Sequence, residues 1–90
     1  MEFEWDEAKS RSNLEKHGVL FNEVLWVFDG RPFVVRPARD LGEERFATTA
    51  ESAGVYFTVI WTQRGMKTRL ISARRARNEE KREYRDLHGR

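Results

Sequence analysis

The run "GVYFTVIWT", residues 54–62, is the feature that most restricts the fold of this chain. It is β-branched and aromatic almost throughout, which is typical of a strand buried in a sheet. Strand-like segments at residues 43–50 and 67–74 flank it, each joined to it by a short turn that contains glycine. Short connections of this kind favour antiparallel pairing of neighbouring strands. The sequence therefore predicts an antiparallel β-meander in the second half of the chain.

A helix is predicted over residues 7–17, before the sheet. Asp6 is a favourable N-cap residue, and Gly18 is a favourable residue to end the helix. The apolar stripe of this helix is thin. We therefore expect its packing to depend on Trp5 and Leu14.

Further elements complete the predicted order. The segment "FNEVLWVF", residues 21–28, has apolar residues at helical spacing and predicts a second helix. A C-terminal helix is expected with Asn78 as its cap and glutamates at its favourable dipole end. The alternation in residues 1–5 is compatible with a short strand, and another strand is predicted at residues 32–36. The fold class is therefore α+β, an antiparallel meander with two N-terminal helices and one C-terminal helix.

Composition narrows the class of protein. The 90 residues, 36% charged and 39% hydrophobic, predict a single folded domain over residues 1–90. No apolar run approaches the length of a transmembrane helix, so no membrane partner is expected. Met1 is followed by acidic residues, which is the opposite of a signal-peptide start. The absence of cysteine fits a reducing compartment, so we expect a cytoplasmic protein.

The charges are unevenly distributed along the chain. Residues 1–30 hold three basic and seven acidic side chains, residues 31–60 hold four of each, and residues 61–90 hold ten basic and four acidic. The net charge therefore rises from −4 to +6 between the two ends. Such asymmetry predicts an anionic partner for the C-terminal third. The alternative is that the acidic and basic segments face each other in the fold.

No pattern typical of a metal site or a nucleophilic centre stands in the sequence. There is no cysteine, no histidine pair at helical spacing, no calcium loop and no glycine-rich phosphate loop. His17 is expected at the end of the first helix, where it caps carbonyl groups or packs against the second helix. His88 lies in the C-terminal tail. We therefore predict neither a metal nor another cofactor.

Basic side chains of the sheet are the strongest candidates for a site. Arg45 lies on one predicted strand, Arg64 and Lys67 lie near a turn, and Arg69 and Arg74 lie on the last strand. In a meander these strands are neighbours, so the side chains can converge on one sheet face. Guanidinium groups match phosphate oxygens in a bidentate fork, which predicts binding of an RNA backbone. The alternative is an ordinary solvated strand edge, where positive charge discourages aggregation.

Strand alternation separates the arginines of the last strand. Regular alternation puts Arg69 and Arg74 on opposite faces unless a β-bulge intervenes. Arg74, at the end of the strand, is the first choice for contact with a phosphate, and Arg69 is given a supporting role. Arg75 and Arg77 are expected to face solvent or a protein partner.

Six segments carry a resemblance to a known family. They are "FEWDEAK" from residue 3, "NLEKHGVLF" from 13, "VFD" from 27, "GEERF" from 42, "RLISARRA" from 69 and "EKREY" from 80. In this order they resemble the BrnT-family toxins. The resemblance implies a RelE-like fold and a ribonuclease toxin of a type II toxin–antitoxin module that arrests translation. It also implies neutralisation by a BrnA-type antitoxin, with promoter DNA bound only through the toxin–antitoxin complex.

Together these features predict metal-independent cleavage of single-stranded RNA by attack of a 2′-hydroxyl on the adjacent phosphorus. Arg74 and Arg45 are expected to stabilise the charged transition state. Glu43 shares a strand face with Arg45 and either accepts the proton or pairs with that arginine, and a lysine is the alternative base. The expected RNA-binding side chains are Arg64, Lys67, Arg69 and Tyr84. For Tyr84 the alternatives are stacking on a base, donating a proton and packing the last helix on the sheet.

Two other functions fit the same features. A non-catalytic nucleic-acid-binding module uses the same basic patch and shows affinity that depends on salt. A pure interaction protein instead holds a helix of its partner in an apolar groove.

Overall fold

Five strands form one sheet in the computed structural model, which describes residues 1–38 and 42–89. The strands are β1 (Glu2–Glu4), β2 (Val34–Ala38), β3 (Arg45–Ser52), β4 (Val55–Arg64) and β5 (Lys67–Arg75). Their order in the sheet is β1-β5-β4-β3-β2. Strands β2 to β5 pair antiparallel with their neighbours in sequence, and the predicted glycine turns connect β3 to β4 and β4 to β5.

The prediction of a wholly antiparallel sheet is wrong, because β1 pairs in parallel with β5. Glu2, Phe3 and Glu4 lie opposite Lys67, Thr68 and Arg69, so the sheet is mixed. An ion pair between Glu4 and Arg69, 65 residues apart in sequence, spans this pairing. Turn residues indicate only which neighbouring strands are connected, so they do not predict pairing between strands so far apart in sequence.

Three helices accompany the sheet in the part of the chain that the structure describes, and the α+β class is confirmed. They are α1 (Glu7–His17), a 3₁₀ helix (Phe21–Phe28) and α2 (Asn78–His88). The predicted placement of helices needs correction, since a strand precedes α1 and the second helix is of the 3₁₀ type. The cap residue of α2 is Arg77 rather than Asn78, because the Glu80 side chain accepts from the Arg77 backbone N–H.

One side of the sheet, the core face, carries the main hydrophobic core. Phe57, Val59 and Trp61 alternate along β4 on this face. The 3₁₀ helix covers them with its buried apolar side chains, and its Phe28 ring packs edge-on to Trp61 at 6.0 Å between centroids. The helical spacing in this segment was therefore a correct signal for a buried face.

Helix α1 is held in place largely by polar groups. Its buried side chains are Ser10 and Asn13, whereas Leu14 is 44% exposed. The Asn13 amide accepts from the Ala73 backbone N–H at 3.1 Å and donates to the Ala73 carbonyl at 2.9 Å. Trp5 packs edge-on to Phe21 as part of the core, but the expected packing of Leu14 is wrong.

The opposite side, here called the arginine face, carries Thr58, Ile60, Thr62 and Arg64 from β4. Helix α2 covers the part of this face formed by β2 and β3, with Tyr84 buried there. No helix among the described residues is long and apolar enough to span a membrane.

A β-bulge interrupts β5 on this sheet. Trp61 lies opposite Leu70, but the residue before it on β4, Ile60, lies opposite Ser72. Ile71 is therefore an extra residue of β5. The bulge shifts the alternation by one position. As a result Arg69 and Arg74 both lie on the arginine face, which regular alternation did not predict.

Candidate functional site

An ion pair between the partly buried Arg74 on β5 and the buried Glu80 on α2 forms the centre of the candidate site. Arg74 Nη1 and Nη2 donate to Glu80 Oε1 and Oε2 at 2.8 and 3.0 Å. Thr58 Oγ1 donates to Glu80 Oε1 at 2.9 Å, because an ionised carboxylate only accepts hydrogen bonds. The Thr58 proton is thereby used, so Thr49 donates to Thr58 across 2.7 Å. This chain of contacts fixes the Arg74 guanidinium group against the sheet.

The hydrogen bonds to Glu80 keep it ionised although it is buried. Burial by itself raises the pKa of this carboxyl group. Hydrogen bonds from Arg74, from the Arg77 backbone N–H and from Thr58 outweigh burial and lower the pKa from 4.5 to about 2. Glu80 is therefore a fixed negative charge at neutral pH and a poor general base.

Arg74 lies in a polar groove with a volume of about 270 Å³, here called the arginine groove. The groove runs between β2, the middle of the sheet and the start of α2. Its charged lining residues are Arg36, Arg74, Arg77, Glu79 and Glu80. A guanidinium group has five N–H donors; Glu80 accepts from two of those of Arg74, and the Arg75 carbonyl oxygen accepts from a third at 3.4 Å. The remaining donors of Arg74 can serve an anion in the groove.

A second row of charged side chains crosses the arginine face at the other end of β4. Arg69 lies opposite Thr62, whereas Arg74 lies opposite Thr58. Four residues along a strand correspond to about 13 Å. Arg45 lies two residues before Ala47 on β3 and therefore belongs to the row of Thr62. The structure thus places Arg45 and Arg74 on one face, in rows about 13 Å apart along the strands.

Acidic side chains accompany the arginines of this second row. Glu43 Oε2 lies 3.2 Å from Arg45 Nε, and Glu43 Oε1 lies 3.7 Å from Arg64 Nη2. Glu4 pairs with Arg69 at 3.2 Å. Half-buried or exposed pairs of this kind contribute roughly 0–1 kcal/mol each, so an RNA phosphate can compete for the cations. Glu43 thus forms ion pairs with Arg45 and Arg64, whereas Arg74 pairs with Glu80.

The remaining predicted residue of the turn is Lys67. It is exposed at the first position of β5, opposite Arg64 on β4 and Glu2 on β1. It lies two residues before Arg69 on β5, next to the turn between β4 and β5.

Tyr84 lies inside the α2–sheet interface. The side chain is 5% exposed, and its ring packs edge-on to Tyr56 at 5.4 Å. This placement supports the packing role among the three alternatives and leaves no ring face open for a base. The His88 ring lies against Tyr84, and its Nε2 is 3.0 Å from the Phe33 carbonyl oxygen.

The two histidines do not share a site. His17 lines a pocket with Lys9, Lys16 and Ser72 at the junction of α1 and β5, away from the contacts of His88. Within residues 1–38 and 42–89, no three side chains of the metal-binding types form a group that could hold a metal ion.

A different surface feature lies on the core face, beside the 3₁₀ helix. This apolar groove has a volume of about 520 Å³. Phe33 and Val35 contribute to its lining and are 48% and 46% exposed. The groove lacks the charged lining of the arginine groove.

Comparison with known families identifies the chain. The family model described as "Ribonuclease toxin, BrnT, of type II toxin-antitoxin system" matches residues 5–80. The chain belongs to the BrnT toxin family. Comparison with curated proteins gave no match.

Membership of the BrnT family makes this protein a ribonuclease toxin of a type II toxin–antitoxin system. The resemblance drawn from the six sequence segments is thereby confirmed. The matched region begins at Trp5 and ends at Glu80, so it includes the whole sheet from β2 to β5 and the first turn of α2.

The sequence of this toxin did not predict three residues of the arginine groove as site residues. Arg36 was read only as part of a short strand, and Arg77 was expected to face solvent or a partner. Glu80 was read as a favourable charge at a helix start. A usable signal existed for Glu80, since an acidic residue at the third helical position often caps its own helix and sits close to the preceding strand.

Proposed function

We propose that this BrnT toxin is a metal-independent endoribonuclease, a single cytoplasmic domain with a RelE-like fold, and that Arg74 binds the scissile phosphate. The observation that supports this most directly is the orientation of Arg74. Glu80 and Thr58 hold its guanidinium group at the wall of a groove that two further arginines line. Donors fixed before the reaction stabilise developing charge without reorganisation.

The proposed reaction is an internal transfer within the RNA. The 2′-oxygen forms a bond to the adjacent phosphorus and loses its proton to a base, while the bond from phosphorus to the 5′-oxygen breaks and that oxygen gains a proton. The products are a cyclic phosphate and a 5′-hydroxyl end. Negative charge on the phosphoryl oxygens rises in the transition state, and the free N–H donors of Arg74 stabilise it. The loss of one such contact costs about 3 kcal/mol, or roughly a hundredfold in rate.

The second row of charges is proposed to bind the RNA beyond the scissile phosphate. Arg45, with Glu43 beside it, lies about 13 Å from the row of Arg74. That distance suits a flanking phosphate better than the reacting one. The residues proposed for this flanking contact are Arg45, Arg64, Lys67 and Arg69. Glu43 is proposed to orient Arg45 and Arg64.

Replacing Arg74 with lysine tests the assignment. Arg74→Lys keeps a cation opposite Glu80 but removes the planar fork, so we expect RNA cleavage to fall about a hundredfold. Arg75→Lys is the matched control. Arg75 lies opposite Phe57 on the core face, with its guanidinium carbon 5.6 Å from that ring, and should retain full activity.

The assay measures cleavage of single-stranded RNA by purified toxin, with thermal unfolding of each variant measured in parallel. Cleavage should continue in EDTA. A folded Arg74→Lys variant that cleaves at the wild-type rate would refute the assignment. Activity that EDTA abolishes and magnesium restores would refute the metal-independent mechanism.

The non-catalytic alternative predicts a different result in the same assay. Wild-type toxin would bind RNA with salt-dependent affinity but leave it intact, both free and on ribosomes. Intact RNA together with binding would therefore favour a nucleic-acid-binding module.

The partner proposed for this toxin is a BrnA-type antitoxin, with promoter DNA bound only through the complex. The apolar groove supports a protein partner, because Phe33 and Val35 are about half exposed on the face opposite the arginines. We propose that an apolar helix face of the antitoxin covers this groove, in the manner of other helix-in-groove complexes. The antitoxin would then bind without requiring the groove of Arg74.

A further inference from the structure

The pocket between α1 and β5, here called the α1 pocket, has no role in the cleavage site described above. It has a volume of about 310 Å³. Its lining residues are Lys9, Ser12, Asn13, Lys16, His17, Ile71 and Ser72. Two ammonium groups and an imidazole thus line it together with hydroxyl and amide groups, and no carboxylate does. A helix that packs on a strand normally presents apolar side chains, so this polar lining is unusual.

The helical period explains how the positive charge is concentrated. With 3.6 residues per turn, Lys9, Lys16 and His17 fall on one flank of α1. Glu7 and Glu15 of the same helix fall on the other side. The pocket is therefore positive although the N-terminal third of the chain is acidic overall.

Buried polar contacts fix the orientation of this flank. Asn13 bonds to the backbone of Ala73 on β5 and donates to the Val19 carbonyl oxygen at 3.0 Å. Ser10 accepts from the Phe21 backbone N–H at 2.9 Å. Directional contacts of this kind set the rotation of a helix more strictly than apolar contacts do. The lysines are thereby held beside β5.

The bulge joins the α1 pocket to the arginine face. Ile71 is the extra residue of β5, and Ser72 after it lies on the same face as Arg74. Alternate residues of a strand are about 7 Å apart, so Ser72 is the next side chain along β5 from Arg74 on that face. Because Ser72 also lines the α1 pocket, a strand of RNA that binds at Arg74 can reach the pocket at the edge of β5.

We propose that the α1 pocket is a second phosphate subsite for the RNA substrate, which rests on the function proposed above. Lys9 and Lys16 supply the charge that binds a phosphodiester, and Ser72 and His17 supply hydrogen-bond donors. The RNA thus continues from the groove of Arg74 around the edge of β5 to α1. Neither lysine takes part in the reaction itself.

The test compares Lys9→Gln/Lys16→Gln with Arg11→Gln, which removes charge from an exposed position on the other side of the same helix. Binding is measured with a mixed-sequence single-stranded RNA carrying 2′-O-methyl riboses, which cannot undergo the proposed cleavage. The double variant should bind more weakly at every sequence. The slope of log affinity against log salt should fall by about 0.7 for one lost phosphate contact. Arg11→Gln should keep the wild-type slope.

The outcomes separate this proposal from the cleavage proposal. A wild-type toxin that cleaves RNA, together with a double variant of unchanged affinity and slope, overturns the second subsite but leaves the cleavage site standing. A double variant that binds RNA normally but loses the antitoxin assigns the pocket to the protein partner and overturns the proposal. A wild-type toxin that neither binds nor cleaves RNA overturns both.

Discussion

Glu80 accepts four hydrogen bonds from three residues, and this saturation explains why a charged side chain can be buried at this point. A buried ion pair adds little net stability compared with an apolar pair, but removal of one partner leaves a costly unpaired charge. The pair therefore holds Arg74 in one orientation. At the scale of single residues, the site depends on a carboxylate that takes no part in the reaction.

The stability of the toxin should fall at low pH because Glu80 becomes protonated. Its pKa of about 2 lies below the ordinary value of 4.5, so the ionised form favours the folded state. The contribution is fully present above pH 4.5 and is lost as pH falls towards about 2. The ionised carboxylate contributes on the order of 3 kcal/mol to the free energy of unfolding, and Glu80→Gln should remove this pH-dependent contribution.

Chemical denaturation at about pH 7 and about pH 3 measures this effect. The difference in free energy of unfolding between wild type and Glu80→Gln should shrink at the lower pH. Glu79→Gln, which changes the exposed neighbour, is the matched control. An equal difference at both pH values would contradict the role given to Glu80.

At the scale of elements, α1 is unusual because hydrogen bonds rather than apolar contacts hold it on the sheet. β1 pairs with β5 only as far as Arg69. Further along the same edge, the Asn13 amide bonds to the Ala73 backbone in place of a neighbouring strand. The position of α1, and with it the α1 pocket, therefore depends strongly on Asn13.

Asn13→Ala should therefore destabilise the toxin more than Leu14→Ala does. Loss of the amide leaves the Ala73 and Val19 backbone groups unpaired, at a cost of about 1–3 kcal/mol for each buried group left unsatisfied. Leu14 is 44% exposed, so its truncation should cost no more than about 1 kcal/mol. Urea denaturation of the two variants gives both values. A larger loss of unfolding free energy for Leu14→Ala would contradict this expectation and support the packing role that the sequence predicted for Leu14.

Several elements were predictable because their signals are local. The run of residues 54–62, its glycine turns and the caps Asp6 and Gly18 lie within a few positions of the structure that they specify. The parallel pairing of β1 was not predictable, since three residues meet a strand more than sixty positions away. The bulge was not predictable either, because Leu70 and Ser72 read as regular alternation. Regular alternation therefore separated Arg69 from Arg74, and only the bulge returns both side chains to one face.

At the scale of the whole molecule, the two faces of the sheet have different surfaces. The arginine face offers charged side chains along β4 and β5, whereas the core face offers the apolar groove near β2. RNA and antitoxin are thereby proposed to bind opposite faces. Family membership fixes the kind of function, but this division of surfaces comes only from the fold.

Val35→Glu should separate the two proposed surfaces. Val35 is 46% exposed and lines the apolar groove, so a carboxylate there should weaken antitoxin binding while RNA cleavage continues. Leu87→Glu is the matched control, because Leu87 is 65% exposed on α2 outside that groove. Binding to the purified antitoxin and cleavage of RNA are measured for both variants. Unchanged antitoxin affinity for Val35→Glu would place the antitoxin elsewhere.

The bulge at Ile71 also changes how related sequences should be aligned. Arg69 and Arg74 are five positions apart in the chain, yet their partners on β4 are only four positions apart. Side chains an even number of strand positions apart lie on the same face of a sheet. A one-residue gap at this point in a relative would therefore move one arginine through the sheet. Such a gap would mark a change of substrate contact, even though it would look like ordinary length variation.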